Sequence, residues 1–529
     1  MNVGPKAVTA IRSLRIESGL HVPALIRTES APLDASLAPR SQEPSRAQSP
    51  QHSTVGAEDG SVTFWDDAGG ETLDPAQLDA FLETWRGFGG KGSLGKRDVA
   101  LLGTTPVAVP GTPRGALQLA TVRVTYRDGR SELYQVPVHV QSGRLNLAGA
   151  SEHAGAFYQS LADAMVEGRA LPGEQIHGAL TPAGEDAVRQ GLAAPHPYRT
   201  IPADSSNTLA ENGAEVLKLA SRLQPGMPNR ELDHSNFHRA NDIFHDLTQV
   251  HGVLTTVVEG KPTVTGLLLK REDIETDAWL HFQSAAKAYS SAGPAEKKTL
   301  LASLTADAHA IGVASGLMAK SYRLGTEGAT SMLSRPMQPA DVDGLLARTT
   351  ERVDRLMDVA RTSDKVLPPI KARILALEPT LRARIEAQRA LLKAAVTENP
   401  GRYTLQSGHF DYHLGQVVKT RDGRWVVMDF EGEPAASPED AARLSVAEKD
   451  AGGMLRSFSY NDAEHQTDLA PHLAKAFLQG HNSELPLDPA LLEWMTGEKA
   501  IYEVPYEAQN RPAWLDIPLA PVERFANGG

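Results

Sequence analysis

Cysteine is missing altogether from the 529 residues. That removes disulfides, thiolate metal sites and cysteine nucleophiles, and it suits a reducing compartment. His, Ser, Asp, Glu and Lys must carry any chemistry. Dense blocks of Lys or Arg are also missing, and 53 basic against 65 acidic residues leave a net charge of −12. This balance argues against an affinity built on neutralising nucleic-acid phosphates or anionic lipid, although a local basic groove stays open. No run of about 18 apolar residues is present to span a bilayer. The opening MNVGPKAVTAIRSLRIESGL breaks its apolar residues with Lys6, Arg12, Arg15 and Glu17, so no secretory h-region is expected. A Gly-x-Ser-x-Gly elbow is lacking, which leaves a serine hydrolase without its best signal. No repeat with a period of about 20 to 50 residues stands out, so a solenoid is disfavoured.

What is present is an ordinary globular composition, 41% hydrophobic and 22% charged. The length is more than one hydrophobic core usually serves, so several packed units are expected. Residues 1–60 read as a disordered leader: from Thr28 to Gly60 the chain is Ser, Pro, Ala, Gln and Gly with almost no large apolar residue. Residues 61–150 read as a small α+β unit. Leu78, Phe81, Leu82 and Trp85 have helical spacing, and Ala120–Tyr126 with Glu132–Val140 form a hairpin around Asp128-Gly129. Between them, Phe88 to Gly92 (FGGKG) lacks the preceding strand and the Gly-Lys-Ser/Thr ending of a phosphate loop and reads as a tight turn. Residues 151–280 hold a helix near Ala154–Glu167, a short strand Glu215–Leu219 carrying Lys218, and a β-rich stretch ending near Leu267–Leu269. From 281 to 529 the amphipathic periods at Leu300–Val313, Val342–Ala360 and Leu377–Val396 predict a mainly helical unit.

The informative segment is His409 to Glu433, HFDYHLGQVVKTRDGRWVVMDFEGE. It reads as loop, strand, Asp-Gly turn, strand, loop. Asp411 precedes the first strand (Gln416–Thr420) and Asp429 ends the second (Trp425–Met428), so the hairpin brings both carboxylates to one end. Gln416 follows Asp411 by five positions, and Asp429-Phe430-Glu431 stands where a kinase has Asp-Phe-Gly. Phosphoryl transfer needs this set: a carboxylate to take the proton of the attacking hydroxyl, and an amide oxygen and second carboxylate for the metal. Upstream, Lys218 on its strand precedes by thirteen positions Glu231, in a segment that can open a helix. Such a pair serves the nucleotide phosphates in kinases. His409 with His413, and His234 with His238, have the i, i+4 spacing of metal ligands, but neither forms His-Glu-x-x-His. The first pair reads as a loop and the second as decoration of an exposed helix.

These residues resemble the bacterial maltokinases. The resemblance rests on DYHLGQVV (Asp411–Val418), VVMDFEGEP (Val426–Pro434) and AGGMLRSFSY (Ala451–Tyr460), with weaker agreement from about Asp74 to Leu519. It implies an α+β, two-lobed protein-kinase-like fold with an N-terminal α+β cap subdomain, an N-lobe and a mainly helical C-terminal lobe that carries the catalytic loop. It implies ATP and Mg²⁺ as cofactors and phosphorylation of the anomeric hydroxyl of maltose, with trehalose synthase as a functional partner. Asp411 would be the base; Gln416, Asp429 and Glu431 would attend the metal. Lys218, Glu231 and the turn Ser206, Asn207, Thr208 would serve ATP, and His413, Tyr502, Tyr506 and Trp514 the sugar. An aromatic face with polar groups at its rim suits a disaccharide. Departures lie close to these positions: Phe410 stands where the family has glycine, Leu209 where a hydroxyl residue is common, and Pro505 within the helical stretch Tyr502–Tyr506. After Pro434 an acidic, small-residue run replaces the family's basic one. Amino-sugar or aminoglycoside kinases are the alternative acceptor class. A kinase-like binding or effector protein, exported through the leader, is the alternative without catalysis. The expected location is the bacterial cytoplasm, with no nucleic-acid or membrane partner.

Overall fold

The computed structural model describes residues 62–64, 71–73, 75–91, 96–142, 144–173, 175–191, 197–202, 207–325, 334–433 and 443–528. The expected leader and Ser206 lie outside them. The chain divides into two compact units whose boundary in sequence falls between Asp273 and Ile274.

The N-terminal unit begins with β1 (Val62–Phe64) and β2 (Glu71–Leu73), then α1 (Pro75–Thr84). Next come β3 (Arg97–Pro106), β4 (Leu117–Tyr126), β5 (Ser131–Gln141) and β6 (Arg144–Leu147). The β4–β5 hairpin closes on Gly129, whose φ of +83° is the conformation the Asp-Gly turn demands. Then follow α2 (Ala154–Val166), β7 (Ile176–Leu180), α3 (Pro182–Arg189), β8 (Arg199–Thr200), β9 (Thr208–Glu211), β10 (Glu215–Leu219) and β11 (Arg222–Leu223). The unit ends with α4 (Arg230–Asn241), β12 (Val250–Val258) and β13 (Lys261–Lys270). The main sheet is antiparallel, in the order β7-β12-β13-β10-β9-β8, which places β10 between two partners. A second sheet, β11-β5-β4-β3, takes β11 from beyond the boundary expected at residue 150. One apolar cluster runs from Val107 and Leu117 to Leu254 and Leu268, so the expected cap and N-lobe segments share a core.

The C-terminal unit starts with β14 (Ile274–Asp277), α5 (Ala278–Ser291) and α6 (Pro294–Leu324). Next are β15 (Ser334–Pro336), α7 (Pro339–Thr362), α8 (Pro368–Ala376), α9 (Glu378–Glu398), β16 (Thr404–Gln406), β17 (Val417–Thr420) and β18 (Trp425–Val427). The unit finishes with α10 (Glu448–His465), α11 (Ala470–Glu484), α12 (Pro489–Asn510) and α13 (Asp516–Ala526). The periodicity that predicted helices holds because each buries one stripe: Val342, Leu345, Leu346, Val353 and Leu356 of α7 pack with Leu381 and Ile385 of α9 and Ile501 of α12. α6 is long and apolar enough to cross a bilayer by length and composition. Here it is packed, its backbone in close approach to α11, where a Cβ on Gly312 would meet the Phe477 carbonyl at 2.1 Å. The fold is protein-kinase-like, mixed α+β with a large helical portion.

Candidate active site

In the N-terminal unit, β10 presents Lys218 in register with Leu267 of β13 and Leu209 of β9. Asn229 caps α4 by accepting the Leu232 amide at 2.9 Å. That cap fixes the first turn, where Glu231 also benefits from the positive end of the helix dipole. The Lys218 ammonium donates to Glu231 Oε2 at 2.7 Å, with the two side chains 10% and 3% exposed. Asn207 accepts the Ser221 amide through Oδ1 at 3.2 Å, and Thr208 opens β9. His234 and His238 do not decorate an exposed face: both are fully buried and stacked at 6.3 Å. His238 packs against Phe237 and Phe244, and burial pulls it down to about 3, so it is neutral.

In the C-terminal unit the hairpin β17–β18 pairs Val417 with Val427 around Asp422-Gly423. One step further the Gln416 carbonyl accepts the Met428 amide at 2.8 Å, so the segments bearing Gln416 and Asp429 emerge at the same end. The strand starts one residue later than the alternation suggested. Leu414–Gln416 forms a 3-10 turn instead, capped by His413 Nδ1, which accepts the Gly415 amide at 3.0 Å.

His409 ties the loop to the hairpin. Its Nε2 lies 2.7 Å from the Met428 carbonyl, and its Nδ1 accepts the Asp411 amide at 3.3 Å. A carbonyl only accepts and an amide only donates, so the ring carries its proton on Nε2. Both ring nitrogens are thus engaged, and the His409/His413 pair is not a zinc site. Asp450, at the start of α10, accepts the His409 and Phe410 amides at 2.8 and 2.7 Å. Burial pushes its carboxyl above the usual range against the pull of His409 and those two bonds. Phe410 is thereby held at φ +68°, a left-handed conformation rare for a bulky residue. Asp429 also has positive φ, +57°. A Cβ on Gly453 would sit 2.6 Å from the Tyr412 carbonyl, so α10 can approach the loop closely. Ser457 accepts the Leu414 amide at 3.1 Å.

Asp411 is buried, and the partner of its Oδ1 is Lys499 of α12, whose ammonium donates to it at 2.9 Å and to Glu433 Oε1 at 3.2 Å. Glu433 Oε2 accepts from Arg352 of α7 at 2.6 Å, and Arg352 Nε lies 3.2 Å from Glu498. Burial pushes Glu433 up, but the charges of Arg352, Lys449 and Lys499 outweigh it and hold the carboxyl well below the usual range. Burial likewise pulls Lys499 down, but Asp411 and Glu433 hold its ammonium above the ordinary lysine value. His413 Nε2 lies 3.8 Å from Asp411 Oδ2; burial, more than the opposing charge of Asp411, lowers its pKa.

The aromatic residues divide. The Tyr502 ring stands 4.7 Å from Lys499, the partner of Asp411, and 4.9 Å from Arg352. Tyr506 and Trp514 instead flank Arg511, at 5.7 and 4.6 Å, and Arg511 lies just past the end of α12, about 18 Å from Lys499 at the helical rise. Between these positions Glu503 accepts from Arg456 at 2.9 Å, and Glu507 accepts from the Tyr460 hydroxyl at 3.1 Å. Pro505 does not break α12, which runs through it from Pro489 to Asn510. The residues that sequence reasoning missed are Lys499, Arg352, Glu498 and Asp450.

The hairpin end suits a hard divalent cation. Gln416 Oε1 is buried and has no hydrogen-bond partner among the described residues, an arrangement that is costly unless something binds it. Asp429 and the exposed Glu431 follow on the adjacent strand end. Oxygen ligands from an amide and carboxylates are the donor set Mg²⁺ prefers.

No protein-family profile matches the chain. It is 30% identical over 140 residues to a glucosamine kinase of Mycolicibacterium smegmatis (strain ATCC 700084 / mc(2)155), covering 23% of this chain and 35% of that protein. It is 27% identical over 128 residues to a glucosamine kinase of Streptacidiphilus jiangxiensis, covering 21% and 29%. The chain thus spans about a third of the length of these curated relatives. The solved structure of a glucosamine kinase in complex with glucosamine, ADP and inorganic phosphate shares the fold. Its TM-score is 0.57 at 18% identity, over 80% of this chain and 93% of that one.

Proposed function

We propose that the chain is an ATP-dependent sugar kinase whose acceptor is an amino sugar of the glucosamine class. The observation that carries the reading is the hairpin end, where a buried carboxylate, Asp411, accompanies an amide oxygen without a partner among the described residues, Gln416 Oε1. The sequence similarity to glucosamine kinases supports the acceptor class.

In this reading Asp411 takes the proton of the acceptor hydroxyl as that oxygen bonds to the γ-phosphorus and the bond to ADP breaks. Gln416 and Asp429, with Glu431 beside them, would hold Mg²⁺. When bound, the ion neutralises charge on the phosphate oxygens. Lys218, oriented by Glu231, serves the ATP phosphates, and Asn207 and Thr208, at the start of β9, lie in the segment that would cover them. His413 borders the acceptor as a neutral imidazole and Tyr502 offers it an aromatic face, whereas Tyr506 and Trp514, grouped around Arg511, are not part of that face.

Maltose is the second reading, favoured by the strings DYHLGQVV and VVMDFEGEP, and it would make trehalose synthase a functional partner. The test is ADP release with Mg²⁺·ATP and a panel of glucosamine, maltose, glucose and an aminoglycoside, with the product identified by mass. Glucosamine as the best acceptor is the expected result. Preference for maltose selects the second reading, and no sugar-stimulated ADP release contradicts both.

A further inference from the structure

Lys499 belongs to none of the motifs that mark a kinase, and it stands 88 residues from Asp411 in sequence. Yet it is the side chain that grips the base. The His409 ring fixes the Asp411 amide and Asp450 fixes the two preceding amides. Backbone bonds leave the carboxylate itself free to rotate, because the terminal torsion of Asp is broad.

We propose that Lys499 is a positioning residue: it clamps Asp411 Oδ1 and so presents Oδ2 as the atom that receives the acceptor proton. Lys499 is itself immobilised. Glu433 takes a second of its three donors, Arg352 holds Glu433, and Glu498 holds Arg352. The Tyr502 ring closes one side. These five charged side chains are 5 to 14% exposed. Taking that many ions out of water is expensive and adds little net stability, so stability alone is a poor reason for the relay. Its end at the base supplies a better one. Once a proton reaches Oδ2, Asp411 becomes neutral, and Lys499 keeps Glu433 as an anionic partner instead of being left a lone buried cation. Oδ2 faces His413 Nε2 at 3.8 Å, on the side assigned to the acceptor.

The inference rests on the kinase reading and is tested on the full chain with its best acceptor. Lys499→Met is expected to lower kcat about 10- to 100-fold, the effect of a misplaced reacting group, with KM for ATP within about twofold of wild type. Lys499→Arg, which keeps a cation between the two carboxylates, is expected to recover most of that loss. A kcat for Lys499→Met within about twofold of wild type, or a loss that Lys499→Arg leaves unrepaired, overturns the role. If Lys499→Met does not fold, Lys499→Gln decides with the same expected and overturning results. Wild-type protein without sugar-dependent turnover overturns the kinase reading and this inference together. Wild-type turnover beside an unimpaired variant overturns the inference alone.

Discussion

Replacing Phe410 separates the cost of its backbone from the value of its ring. At φ +68° a residue with a Cβ bears about 1 to 2 kcal/mol that glycine does not. The buried ring more than offsets this, since removing a buried Phe side chain costs about 3 to 5 kcal/mol. Phe410→Ala and Phe410→Gly both lose the ring and its contact with Lys449, 4.9 Å away. Both keep the amide that Asp450 holds. The two therefore differ in the backbone term, less the roughly 0.5 to 1 kcal/mol of extra unfolded-state entropy that glycine carries. The Gly variant should be the more stable by about 0.75 kcal/mol from the centres of the two ranges, and by up to about 1.5 kcal/mol, the reverse of the order in ordinary structure. Urea unfolding at matched m-values measures the difference. An Ala variant as stable as the Gly variant refutes the argument that Asp450 imposes strain on this loop.

Two further changes probe the N-terminal unit. His238 has its folded pKa depressed from 6.5 to about 3, so its contribution is present above pH 6.5 and is lost as pH falls through that window. His238→Gln should flatten the fall in stability between pH 6.5 and 4, and an unchanged slope in acid titration of the unfolding midpoint counts against a buried neutral ring. Lys218→Met should weaken Mg²⁺·ATP binding roughly 10- to 100-fold, from the loss of a charged hydrogen-bond donor worth about 1.5 to 3 kcal/mol. Calorimetric titration giving wild-type affinity contradicts its assignment to the phosphates.

The hairpin was readable because alternation and an Asp-Gly turn are local signals, and so was the strand carrying Lys218. The helices of the C-terminal unit were readable because their buried stripes recur at helical period. His234 and His238 were misread because α4, RELDHSNFHRAN, is polar by composition, and nothing local announces that Phe237 and Phe244 will surround it. The relay of Lys499, Glu433, Arg352 and Glu498 was invisible for a different reason: Glu433 lies 66 residues from Lys499 and 81 from Arg352. A trace existed in Lys499, a charge between Met495 and Tyr502 on a largely buried helix face, but its partners cannot be named without the fold. The glycine position taken by Phe410 was legible as a constraint, and the structure meets it with Asp450 rather than with a different loop conformation.

The most direct test of the site compares wild type with Asp411→Asn in sugar-dependent ADP release at saturating Mg²⁺·ATP. Sugar-dependent turnover in the wild type, lowered about 10² to 10⁴-fold in a variant with an unchanged unfolding midpoint, is the predicted outcome. An Asp411→Asn protein that phosphorylates sugar at the wild-type rate contradicts it.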